Sequence, residues 1–112
     1  MKINNISVQA PISENFKINP IEISKKIRMA SGKTVKEVVA IKNYFTLTYK
    51  GLRYRDYKIF YDAFIDGNPV RFTYEDNGIE KTDTVYIESV PRGIYQDVSS
   101  VSHNITITME EV

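Results

Sequence analysis

The sequence predicts an α+β fold that is mainly β, with a long antiparallel hairpin and one α-helix. Three observations lead to this fold class. Apolar and polar residues alternate along several stretches, as they do in strands that bury one face. Two dipeptides, Asn4-Asn5 and Asn77-Gly78, are typical of two-residue hairpin turns. Residues 53–66 instead carry apolar side chains at the spacing of an amphipathic helix.

The composition limits the possible functions. A chain of 112 residues is expected to form one domain. Its net charge of +1 offers no bulk attraction to nucleic acid or to an acidic membrane. The chain has no cysteine and one histidine, which excludes a thiol nucleophile, a zinc-thiolate site and a multi-histidine metal site. We therefore expect a protein that is not an enzyme and that uses no cofactor, no metal and no small-molecule substrate.

The sequence also indicates where the chain is made and whether it meets a membrane. The longest apolar run, residues 38–41, is far too short to cross a bilayer. The N-terminal segment lacks the continuous apolar core of a secretory signal. We expect the chain to be made in a cytoplasm and to have no membrane partner.

The first half of the chain is predicted to form two hairpins joined by an arm. Residues 1–20 contain the hairpin at Asn4-Asn5 and then the arm "QAPISENFKINP", whose two prolines favour a loop. Residues 21–50 form the long hairpin, with its turn near Ser31-Gly32-Lys33. One face of its second strand carries apolar residues at period two: Val35, Val39, Ile41, Phe45, Leu47 and Tyr49.

Residues 53–66 are predicted to be the helix. Its apolar arc comprises Tyr54, Tyr57, Phe60, Tyr61, Phe64 and Ile65. Gly67 can end the helix in the left-handed conformation. Ile59 points away from the arc, which is what the edge of a subunit interface would show.

Residues 69–112 are predicted to form the C-terminal strands. Val70, Phe72 and Tyr74 alternate with polar residues before the Asn77-Gly78 turn, and a return strand follows. After a loop, a last strand places five residues on one face: Val101, His103, Ile105, Ile107 and Met109.

The stretch "NYFTLTYKGLRYRDYKIFYDAFIDG", residues 43–67, interleaves aromatic rings with positive charges. A platform for single-stranded nucleic acid would place such rings on an exposed sheet face. Tyr44 is the only ring on the opposite face of the long strand, so the spacing favours a core instead. The predicted core residues are Phe45, Leu47, Tyr57, Phe60, Tyr61, Phe64 and Phe72.

Three short features could carry chemistry, and none has the context that its chemistry needs. "SGKT" at residues 31–34 ends like a phosphate-binding loop, but Ile27 stands where that loop needs a glycine. His103 has no accompanying nucleophile motif. The acids around the Asn77-Gly78 turn lack the spacing of a calcium loop.

With these elements placed, the chain resembles the short tail proteins encoded by phages and prophages of Gram-positive bacteria. The resemblance rests on the opening "MKINNISVQAP", on "MASGKTVKEVVAIKNYFTLTY", on the helix "LRYRDYKIFYDAF" and on the late hairpin "VRFTYEDNGIEKTDTVYI". It covers nearly the whole chain.

The resemblance implies an antiparallel β-sandwich or barrel with one flanking helix, as in tail tube and distal tail proteins. It implies a structural virion protein, made in the host cytoplasm, whose subunits form homo-oligomeric rings, commonly hexameric, around a DNA channel. DNA would pass through the ring without specific contacts. Tube protein, distal tail adaptor, tail terminator and baseplate component all fit, as does a tail-like bacteriocin.

Within this family the long hairpin is the natural element for reaching a neighbouring subunit. We expect its basic tip to contact acidic residues of a neighbour, with a second contact at Ile59. The interface residues of this hypothesis are Lys25, Lys26, Arg28, Lys33, Lys36, Ile59, Glu75 and Asp76. The alternative is a small OB-like module that binds single-stranded nucleic acid as a monomer through exposed rings.

Overall fold

A computed structural model describes residues 1–28, 32, 34–92, 94, 95, 97 and 104–112. In chain order the elements are β1 (Lys2–Ile3), β2 (Ile6–Ser7), a 3-10 turn (Ser13–Asn15), β3 (Phe16–Arg28), β4 (Thr34–Tyr49), α1 (Tyr54–Asp66), β5 (Val70–Asp76), β6 (Ile79–Ser89) and β7 (Ile105–Glu111). Over the described residues the protein is therefore mainly β with a single α-helix, which confirms the predicted fold class.

The strands form one antiparallel sheet in the order β2-β1-β5-β6-β7-β4-β3. Although β6, β7 and β4 separate β5 from β3 in this order, the two strands also meet face to face. Phe16 of β3 lies edge-on to Phe72 and Tyr74 of β5, with ring centroids 6.0 and 5.9 Å apart. The sheet therefore coils on itself, and its two halves enclose the core as in a β-sandwich.

Two of the predicted turns are confirmed. Asn4 and Asn5 have φ of 50° and 67° between β1 and β2, while Asn77 and Gly78 have φ of 52° and 82° between β5 and β6. A type I′ turn needs positive φ at both central residues, which asparagine and glycine adopt at low cost.

The arm is shorter than the sequence predicts. Residues 16–20 were expected to belong to the loop, but they are the first residues of β3, where Phe16 pairs with Leu47 and Ile18 with Phe45. Pro20 is tolerated because β3 is the last strand of the sheet, and an edge strand can lack one N–H donor. The alternation of Phe16 and Ile18 was the missed strand signal.

The helix is confirmed, but it faces the core in a different orientation. Its buried residues are Asp56, Tyr57 and Phe60, whereas Ile65 is 64% exposed. At 3.6 residues per turn, the buried arc is rotated by about 70° from the predicted one. Ile59 was predicted to lie outside the apolar arc; it is instead half-buried and packs against the core, so that prediction is wrong.

Two contacts from outside the apolar pattern account for this rotation. Asp56 is buried, and its Oδ2 accepts a hydrogen bond from Nε of Arg53 at 3.1 Å. Tyr95, from the loop after β6, packs against Tyr54 and Tyr57 with ring centroids 5.4 and 5.2 Å apart. Asp56 is buried on one side of the helix, and Tyr95 packs on the other. Together they orient the helix so that Ile59 faces the core.

The structure places the predicted core residues at two depths. Phe45, Leu47, Tyr57, Phe60 and Phe72 are buried. Tyr61 and Phe64 are half-buried at the margin of the core. Of the predicted last strand, Ile105, Ile107 and Met109 are buried in β7, while Val101 and His103 lie outside the described residues.

We expect the depth of the helix residues to govern stability. Phe60→Ala should cost about 3–5 kcal/mol of unfolding free energy, because it empties a fully buried site. Phe64→Ala should cost about 1–2 kcal/mol at its half-buried position. Ile65→Ala, on the exposed face, should change the free energy by less than about 0.5 kcal/mol.

Denaturant titration of the three variants measures these differences. Equal losses for Phe60→Ala and Ile65→Ala would contradict the observed orientation of the helix.

Candidate assembly surface

The long hairpin projects from the body of the protein. β7 pairs with β4 only over Tyr44–Tyr49, so residues 34–43 of β4 pair with β3 alone among the described strands. We call this two-stranded part, residues 20–28 and 34–43, the ribbon. The protein measures 65 Å along its longest axis and 29 and 26 Å along the others, which is the shape that a projecting ribbon produces.

Among the described strands, the ribbon has no further strand partner on either side. β3 is the terminal strand of the sheet, and the other side of β4 has no described strand partner beyond Tyr44. Free strand edges present rows of N–H and C=O groups that readily pair with another chain. The register also shifts between Ile23 and Ser24, which interrupts the period-two pattern predicted from Val35 to Tyr49.

An apolar side chain is exposed at the base of the ribbon. Ile41 lies on the same face of β4 as buried Phe45, yet it is 64% exposed. Asn43, between them, still contacts the body, where its Nδ2 donates to Oε2 of Glu111 at 3.4 Å. The core-facing side of β4 therefore continues past the core into solvent.

Most of the predicted basic interface residues belong to the ribbon. The backbone register places Lys25 opposite Glu37, Lys26 opposite Lys36 and Arg28 opposite Thr34. The side chains of Lys25, Lys26, Arg28 and Lys36 lie outside the described part of the structure, as does all of Lys33.

The predicted acidic partners lie at the tip of the β5–β6 hairpin. Asp76 already accepts a hydrogen bond from Nζ of Lys81 at 2.8 Å, and this contact raises the pKa of Lys81. Glu75 is exposed and stands directly opposite Glu80. Glu75 is thus more available than Asp76 to pair with a positively charged group.

A groove of about 650 Å³ separates this hairpin from the edge of the sheet. The arm forms one wall with Met1, Ala10, Pro11 and Ser13; β3 contributes Phe16 and Ile18; the turn contributes Glu75, Asp76, Asn77 and Gly78. The groove lies where the coiled sheet brings β3 and β5 together without pairing them. Its lining combines apolar side chains with two acidic residues.

Hydrogen bonds to Gln9 fix the position of the arm, which forms one wall of this groove. The Tyr49 hydroxyl donates to the Gln9 carbonyl at 2.7 Å, and Nε2 of Gln9 donates to the Gly51 carbonyl at 3.2 Å. The backbone N–H of Arg53 donates to Oε1 of Gln9 at 3.4 Å. Burial, together with the charge of Asp56, raises the pKa of Tyr49 above its usual value.

Two further surfaces bring rings and charges together. Tyr54, Tyr57 and Tyr61 line a shallow cleft of about 360 Å³ with Lys58, Asp62 and Arg92. On the outer face of the sheet, Tyr44 and Tyr86 occupy register positions on either side of Glu110. The sequence did not reveal Tyr86 as a neighbour of Tyr44, because their strands are distant along the chain. An acid between the two rings opposes a nucleic-acid platform there.

Among the described residues, no group of three or more His, Cys, Asp or Glu side chains is arranged to hold a metal ion. Within the same part of the chain, no helix is both long and apolar enough to span a membrane. Comparison of the chain with protein-family models, curated proteins and solved structures finds no match.

The buried hydroxyl of Tyr49, which donates to Gln9, should make the stability of the fold depend on pH. Because the folded-state pKa of Tyr49 is raised, the folded chain keeps a proton that the unfolded chain releases above pH 10.0. Stability should therefore fall as the pH rises from about 10, by up to roughly 1.4 kcal/mol per pH unit for this one group.

Tyr49→Phe should remove this contribution to the slope and should cost about 1–2 kcal/mol near neutral pH, since the Gln9 carbonyl loses its donor. Chemical unfolding between pH 9 and pH 12 checks both effects, with Tyr86→Phe at an exposed position as the control. Identical alkaline slopes for Tyr49→Phe and the parent chain would contradict the assignment.

Proposed function

We propose that this protein is a structural subunit of a phage or prophage-derived tail, which assembles with copies of itself into rings around a DNA channel. The single observation that carries the proposal is the ribbon, a two-stranded extension whose outer edges pair with no other described strand. The resemblance to short tail proteins supplies the biological setting. Its partners are then further copies, in a ring that is commonly sixfold, and neighbouring tail proteins.

The ribbon is costly to keep in a protein that acts alone. Isolated two-stranded ribbons are only marginally stable in water. Exposed edges also invite uncontrolled association unless a partner covers them. Exposed Ile41 at the ribbon base adds apolar area that a neighbouring subunit can bury. A subunit whose ribbon is covered on assembly removes all three costs.

A ring subunit of this kind is a virion component and needs no catalytic group. Its position as tube, distal tail, terminator or baseplate protein follows from which proteins cap the ring on either side. The single-stranded nucleic-acid module is the competing function, and the cleft lined by Tyr54, Tyr61, Lys58 and Arg92 is the surface that would serve it.

Ile41→Asp should weaken assembly by at least tenfold in concentration, because it places a charge where a neighbour would bury an apolar side chain. Ile65→Asp is the matched control, since Ile65 is an isoleucine of the same 64% exposure on the far face of the helix. Size-exclusion chromatography with light scattering over a concentration series measures both.

Thermal unfolding should show that both isoleucine variants are as stable as the parent to within about 0.5 kcal/mol. If Ile41→Asp assembles as the parent does, the ribbon base is not part of the contact.

Nucleic-acid affinity should be weak and unspecific, because the net charge is +1 and every ring except that of Tyr86 is buried or half-buried. Fluorescence anisotropy with labelled single- and double-stranded oligonucleotides at physiological salt should give no saturation at micromolar protein. Saturable binding below 1 μM (about −8 kcal/mol) that Tyr54→Ala and Lys58→Ala reduce would favour the competing function.

A further inference from the structure

The tyrosine cleft is a concave surface that the proposed self-assembly does not use. We give this name to the cleft of about 360 Å³ that is lined by Tyr54, Tyr57, Lys58, Tyr61, Asp62 and Arg92. β4 leads from the ribbon to Tyr49, and the helix that carries most of the cleft begins five residues later. The cleft therefore lies toward the end of β4 opposite to the ribbon, where a ligand would not compete with a contact made by the ribbon.

The rings of the tyrosine cleft are held in place by other rings. Tyr61 stacks on Tyr57, with centroids 5.6 Å apart and an interplanar angle of 25°. Tyr95 packs edge-on against Tyr54 at 5.4 Å, and its hydroxyl donates to the Leu52 carbonyl at 3.1 Å. Tyr57 is buried, whereas Tyr54 and Tyr61 are half-buried. A ligand that packs on these rings meets a preorganised surface and loses little affinity to the ordering of side chains.

Three charged side chains lie beside these rings without an ionic partner in the described part of the chain. Lys58, Asp62 and Arg92 are exposed, and none of them forms a salt bridge with another described residue. The two cations and the single acid leave one net positive charge at the cleft. The cleft can therefore bind one anionic group and also accept hydrogen bonds from neutral groups.

Flat rings beside both donors and an acceptor fit a saccharide better than a nucleic acid. The C–H face of a pyranose packs on an aromatic ring, while the hydroxyls around its edge both donate and accept hydrogen bonds. Asp62 can accept from such hydroxyls, but it would repel a phosphate placed beside Lys58 or Arg92. One net positive charge matches a single carboxylate, whereas a nucleic acid carries a charge on every unit. From residue 54 to residue 61 the helix rises by about 10 Å, which is the length of roughly two sugar rings.

We propose that the tyrosine cleft binds an acidic saccharide, with a pyranose packed on Tyr54 and Tyr61 and its carboxylate at Lys58 and Arg92. Asp62 accepts hydrogen bonds from the sugar hydroxyls. The site does not depend on the proposed self-assembly, because it uses no residue of the ribbon. In a ring, each subunit would present one cleft, so a polysaccharide that meets several clefts would bind more tightly than a short oligosaccharide.

Titration with acidic tetrasaccharides at neutral pH tests the assignment. Tetragalacturonate and a hyaluronan tetrasaccharide supply two different uronic acids, and the methyl ester of tetragalacturonate keeps the rings without the charge. At least one acidic probe should saturate with a Kd below about 1 mM. The ester should bind about fivefold more weakly than tetragalacturonate, because it forms no ion pair. In two-dimensional NMR spectra of the labelled protein, the largest shifts should fall at residues 54–62 and at Arg92.

Substitutions separate the contributions of rings and charges. Tyr61→Ala should weaken binding by about tenfold, because it removes a packing surface, while Tyr61→Phe keeps the ring and should bind within about twofold of the parent. Lys58→Gln and Arg92→Gln should each weaken binding of the acidic probes by about two- to fivefold and leave binding of the ester unchanged.

Arg55→Gln is the matched control, since Arg55 is exposed on the same helix but does not line the cleft. It should bind all three probes as the parent does. The substitutions at Lys58 and Arg92 also lie at exposed positions, so they test the site even if Tyr61→Ala does not fold.

The outcomes separate this site from the proposed function. Failure of both acidic probes to saturate at about 10 mM would overturn the saccharide assignment and leave the self-assembly standing. Unchanged affinity in Lys58→Gln and Arg92→Gln, or the largest shifts outside the cleft, would overturn it as well. An oligonucleotide that shifts the same residues at lower concentration than the saccharides would overturn it in favour of the competing function. A monomeric parent that binds the acidic probes in the cleft would contradict the self-assembly alone.

Discussion

The packing of four rings across the coiled sheet is the contact on which the rest of the structure depends. Phe16 and Phe45 come from β3 and β4, and Phe72 and Tyr74 come from β5. Phe45 lies 5.2 Å from Phe72 and 5.1 Å from Tyr74 between centroids, both in edge-on geometry. Such pairs contribute about 0.5–1.5 kcal/mol each beyond the burial of their area. They hold together two parts of the sheet that are distant along its hydrogen-bonded order.

This closure also shapes the groove and the ribbon. It brings the edge of β3 beside the β5–β6 turn, so Phe16 both closes the core and lines the groove. It commits the first residues of β3 and the last residues of β4 to the body, and the rest of both strands then extends beyond β7 as the ribbon. Ring packing, groove and ribbon are consequences of one arrangement, and changes at Phe16 should affect all three.

The features that the sequence predicted well depend on neighbouring residues. The turns at Asn4-Asn5 and Asn77-Gly78 follow from backbone preference, and the helix follows from its apolar period and Gly67. The helix orientation was missed because it depends on a buried carboxylate at Asp56 and on Tyr95 from a distant loop. Charge alone pointed to Glu75, whereas the groove requires the long-range contact of Phe16 with β5. That Glu75 stands directly opposite Glu80 follows only from the strand register.

Electron microscopy of the concentrated protein tests self-assembly most directly. The account predicts closed rings, or short stacks of them, with a central channel and repeating subunits joined through projecting ribbons. In class averages of Ile41→Asp prepared in the same way, these particles should be missing, while Ile65→Asp should retain them. Fields of parent protein that contain neither rings nor stacks at any concentration up to the solubility limit would contradict the account.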